Sequence, residues 1–222
     1  MNMKNNTNKV NYFSRTYLFL VILSTSALLT ANTAAVKTIA VLGLSLPAGV
    51  IVFPISYIIG DALTEVYGFK KARLAIYLSF FANLFFSVTL AIAQKLPAAS
   101  FWQQQEAFDS ILGQSFRILL ASFSGYLFGS LLNSLIMVKL KKVTKKKLLW
   151  LRTIASSILG EGVDSFLFVL VAFLGIMDRQ ALLAMILSQW LFKVSYEILI
   201  TPLLYLAINK IQDIESQSVQ KK

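Results

Sequence analysis

The sequence predicts an all-α membrane protein in which six helices cross the bilayer. Of its 222 residues, 57% are hydrophobic and only 14% are charged, whereas about a quarter of the residues in soluble domains are charged. Apolar runs of roughly 20 residues, the length that spans a bilayer as a helix, alternate with polar connections. These observations predict a polytopic membrane protein with a single transmembrane domain over residues 17–208.

The composition excludes several classes of function. The chain has no cysteine and no histidine, which rules out disulfides and thiolate metal sites and removes the commonest zinc ligand and general base. We therefore expect no catalytic site, no metal and no cofactor. The net charge of +11 would suit nucleic acid only on a clustered basic face, and here the basic residues lie between apolar runs. Nucleic acid is not an expected partner, and the lipid bilayer is.

Six apolar runs define the spans and leave polar segments at both ends. The predicted spans are residues 17–35, 49–67, 74–93, 115–138, 149–176 and 181–208, between a cytoplasmic N-terminal segment at 1–16 and a cytoplasmic tail at 209–222. Small residues, Ala31 and Ala34, follow the first apolar run, so a cleaved signal peptide is an alternative interpretation of that span. The next connection contains Gly43 and Pro47 and could hold a short strand at 39–42.

The second span carries two carboxylates, Asp61 and Glu65, one helical turn apart in an otherwise apolar run. An aspartate at the centre of a membrane helix costs roughly 2.5 to 3.5 kcal/mol on insertion scales, so the pair implies either function or burial against partners. Pro54 and Gly60 precede Asp61 and could kink this helix. After the third span, residues 95–114 form the longest internal connection, with a composition suited to an aqueous surface or a lid over a cavity.

The fourth span carries a row of small residues between Arg117 and Asn133, in which Gly125 and Gly129 form a GxxxG pattern. Small residues at this spacing let two membrane helices approach closely. Because five other helices compete for this surface, the row favours a packing seam within the molecule over a dimer interface. The sequence does not decide whether the protein forms a homo-oligomer.

Ionisable residues recur inside the predicted spans, and acidic residues are in excess. The acidic residues are Asp61, Glu65, Glu161, Asp164 and Glu197, and the basic residues are Arg117, Arg152 and Lys193. Such residues usually face the bundle interior, pair with one another and line a solute or ion route. Lys193 and Glu197 lie one turn apart and could simply neutralise each other. The excess carboxylates could bind a cationic or donor-rich solute, carry a coupling proton or coordinate a cation.

Two further patterns concern the same interior. The aromatic residues that could stack on a planar ring are Phe53, Tyr57 and Tyr67. The Gly60-Asp61 pair in the second span resembles Gly160-Glu161 in the fifth, which runs in the opposite direction. An inverted repeat of three plus three helices would bring both acidic clusters to one midplane site.

The positive charges predict the orientation. The N-terminus, the loop at 70–73, the loop at 139–147 and the tail fall on one side and hold 15 of the 21 lysine and arginine residues. By the positive-inside rule, both ends of the chain are expected in the cytoplasm.

With these residues in view, the chain resembles the queuosine precursor transporter family, also called the vitamin-uptake-like (VUT) family. The resemblance covers about residues 53–202. It rests on FPISYIIGDALTEVYG (53–68), on Arg117 with the small-residue row ending in Asn133, on RTIASSILGEGVDSFLFVLVAF (152–173) and on KVSYEILITPLLY (193–205).

This resemblance implies a six-helix protein of the bacterial cytoplasmic (inner) membrane that imports 7-deazaguanine precursors for tRNA modification. Candidate solutes are 7-cyano-7-deazaguanine, 7-aminomethyl-7-deazaguanine and queuine, and the implied fold is similar to the substrate-binding subunits of energy-coupling-factor transporters. The implied solute or proton ligands are Asp61, Glu65, Asp164, Glu197 and Asn133, with Arg152 and Lys193 as counter-charges and Arg117 as a gate or structural pair. Glu161 departs from some members, which carry an uncharged residue there, and could alter solute choice or coupling.

Two alternatives remain from the residues alone. The chain could be a solute-binding subunit that needs a separate ATPase module, because it has no GxxxxGK[ST] motif of its own. It could also be an intramembrane enzyme that uses paired carboxylates for acid–base chemistry, although no nucleophile or metal motif accompanies them. We expect a transporter and not an enzyme.

Overall fold

The computed structural model describes residues 13–41, 44–112, 116–145 and 147–220, and this part of the chain is almost entirely helical. Its elements in chain order are α1 (Arg15–Ala34), β1 (Thr38–Val41), β2 (Leu44–Pro47), a 3₁₀ turn (Ala48–Ile51), α2 (Phe53–Tyr67), α3 (Phe69–Lys95), α4 (Gln105–Leu112), α5 (Phe116–Val143), α6 (Leu149–Phe173) and α7 (Arg179–Gln220). All helices except the short α4 are long and apolar enough to cross a membrane, α2 together with its preceding turn, which makes six candidate spans in the described residues. The predicted polytopic all-α fold is confirmed.

Several helices extend beyond the apolar runs that predicted them. α3 begins at Phe69 and so includes the basic residues assigned to a loop, and α7 continues through the predicted tail to Gln220. Lysine, glutamine and glutamate are good helix formers, so a helix does not stop where its sequence becomes polar. α4 lies within the predicted long connection at 95–114.

Pro54 does not kink α2, contrary to the expectation from its position. It lies in the first turn of the helix, which begins at Phe53. Proline is favoured there because its missing N–H would have no partner in any case.

The connection between α1 and α2 is a two-stranded antiparallel hairpin, in which Thr38 pairs with Pro47 and Val41 pairs with Leu44. The predicted strand at 39–42 corresponds to the first arm, although positions 42–43 lie outside the described residues. The 3₁₀ turn that follows packs tightly on α1, because a Cβ atom at Gly49 would collide with the carbonyl oxygen of Ala31.

The short connections make consecutive spans antiparallel, which gives the bundle two ends. We call the end with the start of α1 and the α5–α6 connection the tail face, and the opposite end, with the β-hairpin and the α6–α7 turn, the hairpin face. The tail half is held by an apolar cluster from four helices, which includes Tyr17, Leu63, Ala72 and Leu204. The most extensive packing is that of α5 along α6.

Glycines allow α5 and α6 to pack closely. A Cβ atom at Gly129 would lie 2.7 Å from the Asp164 Cβ and 2.8 Å from the Gly160 carbonyl oxygen. A Cβ atom at Gly160 would lie 2.6 Å from the Asn133 Cβ. The GxxxG row therefore forms a packing seam within the molecule, as predicted, and it presses two polar residues of the interior against the opposite helix.

Candidate functional site

The predicted ionisable residues gather in the interior of the bundle. The buried charged residues, each at most 7% exposed, are Asp61, Glu65, Arg152, Glu161, Asp164 and Glu197. They come from α2, α6 and α7 and form three layers between the tail face and the hairpin face. The layers differ in how the negative charge is balanced.

The layer nearest the tail face is an ion-pair network around Glu65. The Glu65 Oε1 atom lies 2.9 Å from Arg152 Nη2 and 3.0 Å from Lys141 Nζ. Lys141 also donates to the Glu65 backbone carbonyl, and Arg152 Nη1 donates to Thr144 Oγ1 at 3.3 Å and to the Lys147 carbonyl. The network ties the end of α2 to the end of α5 and the start of α6.

The layer nearest the hairpin face contains an ion pair between Asp164 and Lys193. The Lys193 Nζ atom also lies 4.5 Å from the centre of the Phe53 ring, within the range of a cation–π interaction. The alternative in which Lys193 and Glu197 neutralise each other does not hold, because Lys193 reaches across to Asp164 of α6 and not along its own helix. An ion pair between two helices fixes their relative position, which a pair within α7 would not do.

Asp164, Lys193 and Phe53 line an open cavity of about 100 Å³ in the hairpin half of the bundle. The cavity also contacts the ends of α1 and the 3₁₀ turn, and its remaining lining residues include Asn32, Gly49, Ser122, Phe168, Gln189 and Phe192. Mostly apolar walls with a few convergent polar groups are typical of sites for small organic solutes. The geometry therefore offers one aromatic face and one pair of opposite charges to a solute.

The central layer consists of Asp61, Glu161 and Glu197. Asn133 Nδ2 donates to Asp61 Oδ1 at 2.6 Å, and the carboxyl groups of Asp61 and Glu197 are neighbours in this layer. None of the three forms a salt bridge among the residues that the structure describes. None of them lines the cavity.

The remaining predicted site residues lie in different parts of the bundle. Tyr57 is buried between the cavity and the central layer, and its hydroxyl group would lie 2.8 Å from a Cβ atom at Gly129. Tyr67 lies at the tail face, where it donates to Glu215 at 2.9 Å, so it does not join Phe53 at the cavity. Arg117 lies at the hairpin face and donates to the Val171 carbonyl at 2.6 Å and to the Leu174 carbonyl, both at the end of α6.

Comparison with known proteins places this architecture in a family. A family model described as "Putative vitamin uptake transporter" matches residues 47–207, which include every residue of the three layers. The chain belongs to this family. It is 29% identical over 189 residues to a "Probable queuosine precursor transporter" of Bacillus subtilis, covering 85% of this chain and 82% of that protein. It is also 26% identical over 125 residues to a protein with the same description from Haemophilus influenzae, covering 56% and 51% of the two chains.

No solved structure significantly matches the chain. The expected similarity to the substrate-binding subunits of energy-coupling-factor transporters therefore stays a prediction. What is shown is a multi-pass membrane protein of the vitamin uptake transporter family.

Two parts of the site in this vitamin uptake transporter were not predicted from the sequence. Lys141 was assigned to a basic loop, whereas α5 runs to Val143 and brings its amine to Glu65. The signal that could have found it is the absence of any helix breaker between positions 138 and 143. Helix α1 contributes Ala31 and Asn32 to the cavity. Nothing in the apolar sequence of this helix indicates that it borders a site.

Proposed function

We propose that the protein imports queuosine precursors of the 7-deazaguanine class across the bacterial cytoplasmic membrane. Membership in an uptake transporter family and the descriptions of two relatives support this proposal. The observation that carries it is the cavity, in which a buried ion pair and an aromatic ring face the same space.

The ion pair matches the hydrogen-bonding edge of a guanine-like base. That edge presents two neighbouring donors, an amide N–H and an amino group, next to a carbonyl acceptor. The two oxygens of a carboxylate can accept two parallel N–H donors, and a lysine ammonium group can only donate. Asp164 would accept from the donors and Lys193 would donate to the carbonyl, while the planar ring packs on Phe53.

In this proposal the solute replaces the direct contact of an ion pair by hydrogen bonds from the base to each of the two charged groups. Asp164 and Lys193 bind each other in the structure, so that neither is left as a buried unpaired charge, which would be costly. A solute with both donors and an acceptor inserts between them and keeps both groups satisfied. A purine-like ring that lacks the amino group would leave part of the Asp164 carboxylate without a donor and would bind more weakly.

The positive charges orient the protein with the tail face and both termini in the cytoplasm. The cavity, which lies in the hairpin half, would then open toward the outside, and the Glu65 network would close the cytoplasmic side. Reporter fusions at each terminus test this: enzymatic activity of a periplasm-only reporter at either end would contradict it.

The test of function is uptake in a bacterium that lacks both precursor synthesis and its own importer, supplied with each candidate precursor in turn. We expect the wild-type chain to restore queuosine in tRNA. Asp164→Asn should lower uptake by about 10- to 100-fold, because a hydrogen bond to a charged group contributes about 1.5 to 3 kcal/mol. Asp213→Asn, which changes an exposed aspartate of α7, is the matched control.

Failure of the wild-type chain with every precursor would refute the proposed solute class. Uptake by Asp164→Asn equal to that of the control, at equal amounts in the membrane, would refute the site. Performing the same assay in a host without energy-coupling ATPase modules separates an independent transporter from a binding subunit, since only the former would retain uptake.

A further inference from the structure

The three carboxyl groups of the central layer differ from the other buried acids in having no cation. Glu65 and Asp164 each form salt bridges with lysine or arginine. Asp61, Glu161 and Glu197 are 0%, 1% and 1% exposed, yet no lysine or arginine lies within salt-bridge distance of them in the described ranges 13–41, 44–112, 116–145 and 147–220. Three negative charges in one buried layer would repel each other and lose most of their hydration, which costs several kcal/mol for each ion.

The hydrogen-bonding groups of this layer also lack donors. Both oxygens of Glu161 and of Glu197, Asp61 Oδ2 and Asn133 Oδ1 accept no hydrogen bond within the part of the chain that the structure describes. Asp61 and Glu197 approach each other, and two carboxyl groups can form a hydrogen bond only if one carries a proton. Asn133, whose amide nitrogen already binds Asp61, presents its free oxygen to the same layer. All of these atoms are hydrogen-bond acceptors, and a proton on a carboxyl oxygen is the smallest ligand that supplies a donor.

We propose that Asp61, Glu161 and Glu197 form a proton-binding site whose loading is coupled to the movement of the solute. The inference rests on the proposed transport function and adds its energy source. Because the trio does not line the cavity, it binds the proton behind the solute site and not in competition with it. In a membrane with an inward proton gradient, a proton that moves inward with the solute drives its accumulation.

The titratable and charged groups around Asp61, Glu161 and Glu197 provide a route for protons and set the electrostatic potential at these three carboxyl groups. From α6, Asp164 lies three residues after Glu161, on the same helix face, and borders the cavity, so it offers a route for protons from the hairpin face. From α7, Lys193 acts on Glu161 but binds Asp164. From α2, Glu65 faces Asp61 and is held by Arg152 and Lys141, and the Tyr57 hydroxyl lies near both Glu161 and Asp164.

This arrangement explains how binding of the solute and binding of the proton are coupled. In the structure, Lys193 pairs with Asp164, and its positive charge also acts on Glu161. A solute that engages Asp164 and Lys193 changes the position of that charge, and with it the proton occupancy of Glu161. Linkage then requires that proton occupancy changes solute affinity by the same factor.

A first test needs no solute. Infrared spectroscopy of the purified wild-type protein at neutral pH should show the carbonyl stretch of a buried, protonated carboxyl group. Glu197→Gln, Asp61→Asn and Glu161→Gln should each reduce this band, and Glu106→Gln, which changes an exposed glutamate of α4, should leave it intact. Three similar-sized substitutions guard against one variant that fails to fold. A band of wild-type size in all three variants, or no band in the wild type, would overturn the proposal.

A second test uses proteoliposomes and each radiolabelled 7-deazaguanine precursor. With an inward proton gradient of one pH unit, a 1:1 coupled carrier can sustain about tenfold accumulation, since one unit corresponds to 1.36 kcal/mol. We expect accumulation by the wild type and none above equilibrium by Glu197→Gln. Accumulation that follows a sodium gradient and ignores the proton gradient would overturn the inference while leaving the proposed function intact. If no precursor is transported but the infrared band behaves as expected, the solute class fails and the proton site stands.

Discussion

Glu65 of α2 and Glu161 of α6 are both buried in the interior of the bundle, but their surroundings differ. Glu65 lies within 3.0 Å of two cations, whereas both oxygens of Glu161 lack a hydrogen-bond partner among the described residues. A buried carboxylate held by two cations forms a fixed structural link, because removing Glu65 would leave the buried Arg152 without a counter-charge in the described part of the chain. A buried carboxyl group without a cation is free to gain and lose a proton. Burial alone therefore does not identify function, and the balance of charge does.

The same contrast separates the two ends of the bundle. At the tail face, three cationic or acidic groups and two carbonyls form a closed network. At the hairpin face, one ion pair borders an open cavity. If the protein alternates between open states, the tail-face network must break and the cavity must close, so the strength of that network sets the population of the state described here.

The largest effect that tests this contrast is expected from Arg152→Met. Arg152 is 1% exposed and contacts Glu65, Thr144 and the Lys147 carbonyl. Breaking a buried ion pair from one side costs about 3 to 5 kcal/mol, and we expect this loss in the free energy of unfolding in detergent or lipid. Arg179→Met, at an exposed position, should change it by less than about 0.5 kcal/mol.

A double substitution determines whether the network acts through its charge. Arg152→Met alone leaves the buried Glu65 carboxylate with the partly exposed Lys141 as its remaining ion-pair partner. Arg152→Met with Glu65→Gln removes both buried charges, so it should be more stable than Arg152→Met alone. If the double variant loses stability in proportion to the two single changes, packing and not charge holds the tail face.

The next largest effect is expected at the glycine seam that positions Asp164. Gly129→Ala would place a Cβ atom 2.7 Å from the Asp164 Cβ, and overpacking of this kind costs about 1 to 3 kcal/mol. It should also displace Asp164 from the cavity and lower uptake. Gly60→Ala is the matched control, because a Cβ atom there meets nothing within 4 Å and alanine is the better helix former.

Thermal unfolding and uptake of the two alanine variants should be measured together. Equal stability of both variants would mean that α5 and α6 can separate without penalty, and the seam would then have no part in placing Asp164.

The sequence predicted the spans and the buried charges because both follow from the bilayer as a solvent. A run of apolar residues long enough to cross the membrane identifies a helix, and a charge within it must face the interior. These rules were sufficient to select Asp61, Glu161 and Asp164 from the residues alone. Their roles as ligands stay predictions.

The partners of these charges could not be predicted in the same way. Spacing along one helix suggested Lys193 with Glu197, because positions four apart are neighbours. The observed partner, Asp164, depends on how closely α5 and α6 pack, which is set by the glycines between them. The Asp164–Lys193 pair depends on the packing of α5, α6 and α7 together. A single sequence contains no direct signal of how three helices pack. Asp61 and Glu161, from the matching Gly60-Asp61 and Gly160-Glu161 patterns, lie in the same layer. The corresponding helix pairs of a three-plus-three repeat nevertheless differ, because α5 packs along α6 far more extensively than α1 packs along α2.

The smallest expected effect concerns the aromatic wall of the cavity. Phe53→Leu removes the ring beneath Lys193, at 4.5 Å, and a cation–π interaction contributes about 0.5 to 1 kcal/mol at exposed sites. The KM for uptake should rise about two- to fivefold with little change in the amount of protein in the membrane. Phe85→Leu, where the ring is 75% exposed on the outside of the bundle, should leave the KM unchanged. A similar rise in both variants would show that the effect is not specific to the cavity, and the assignment of Phe53 as a stacking surface would then fail.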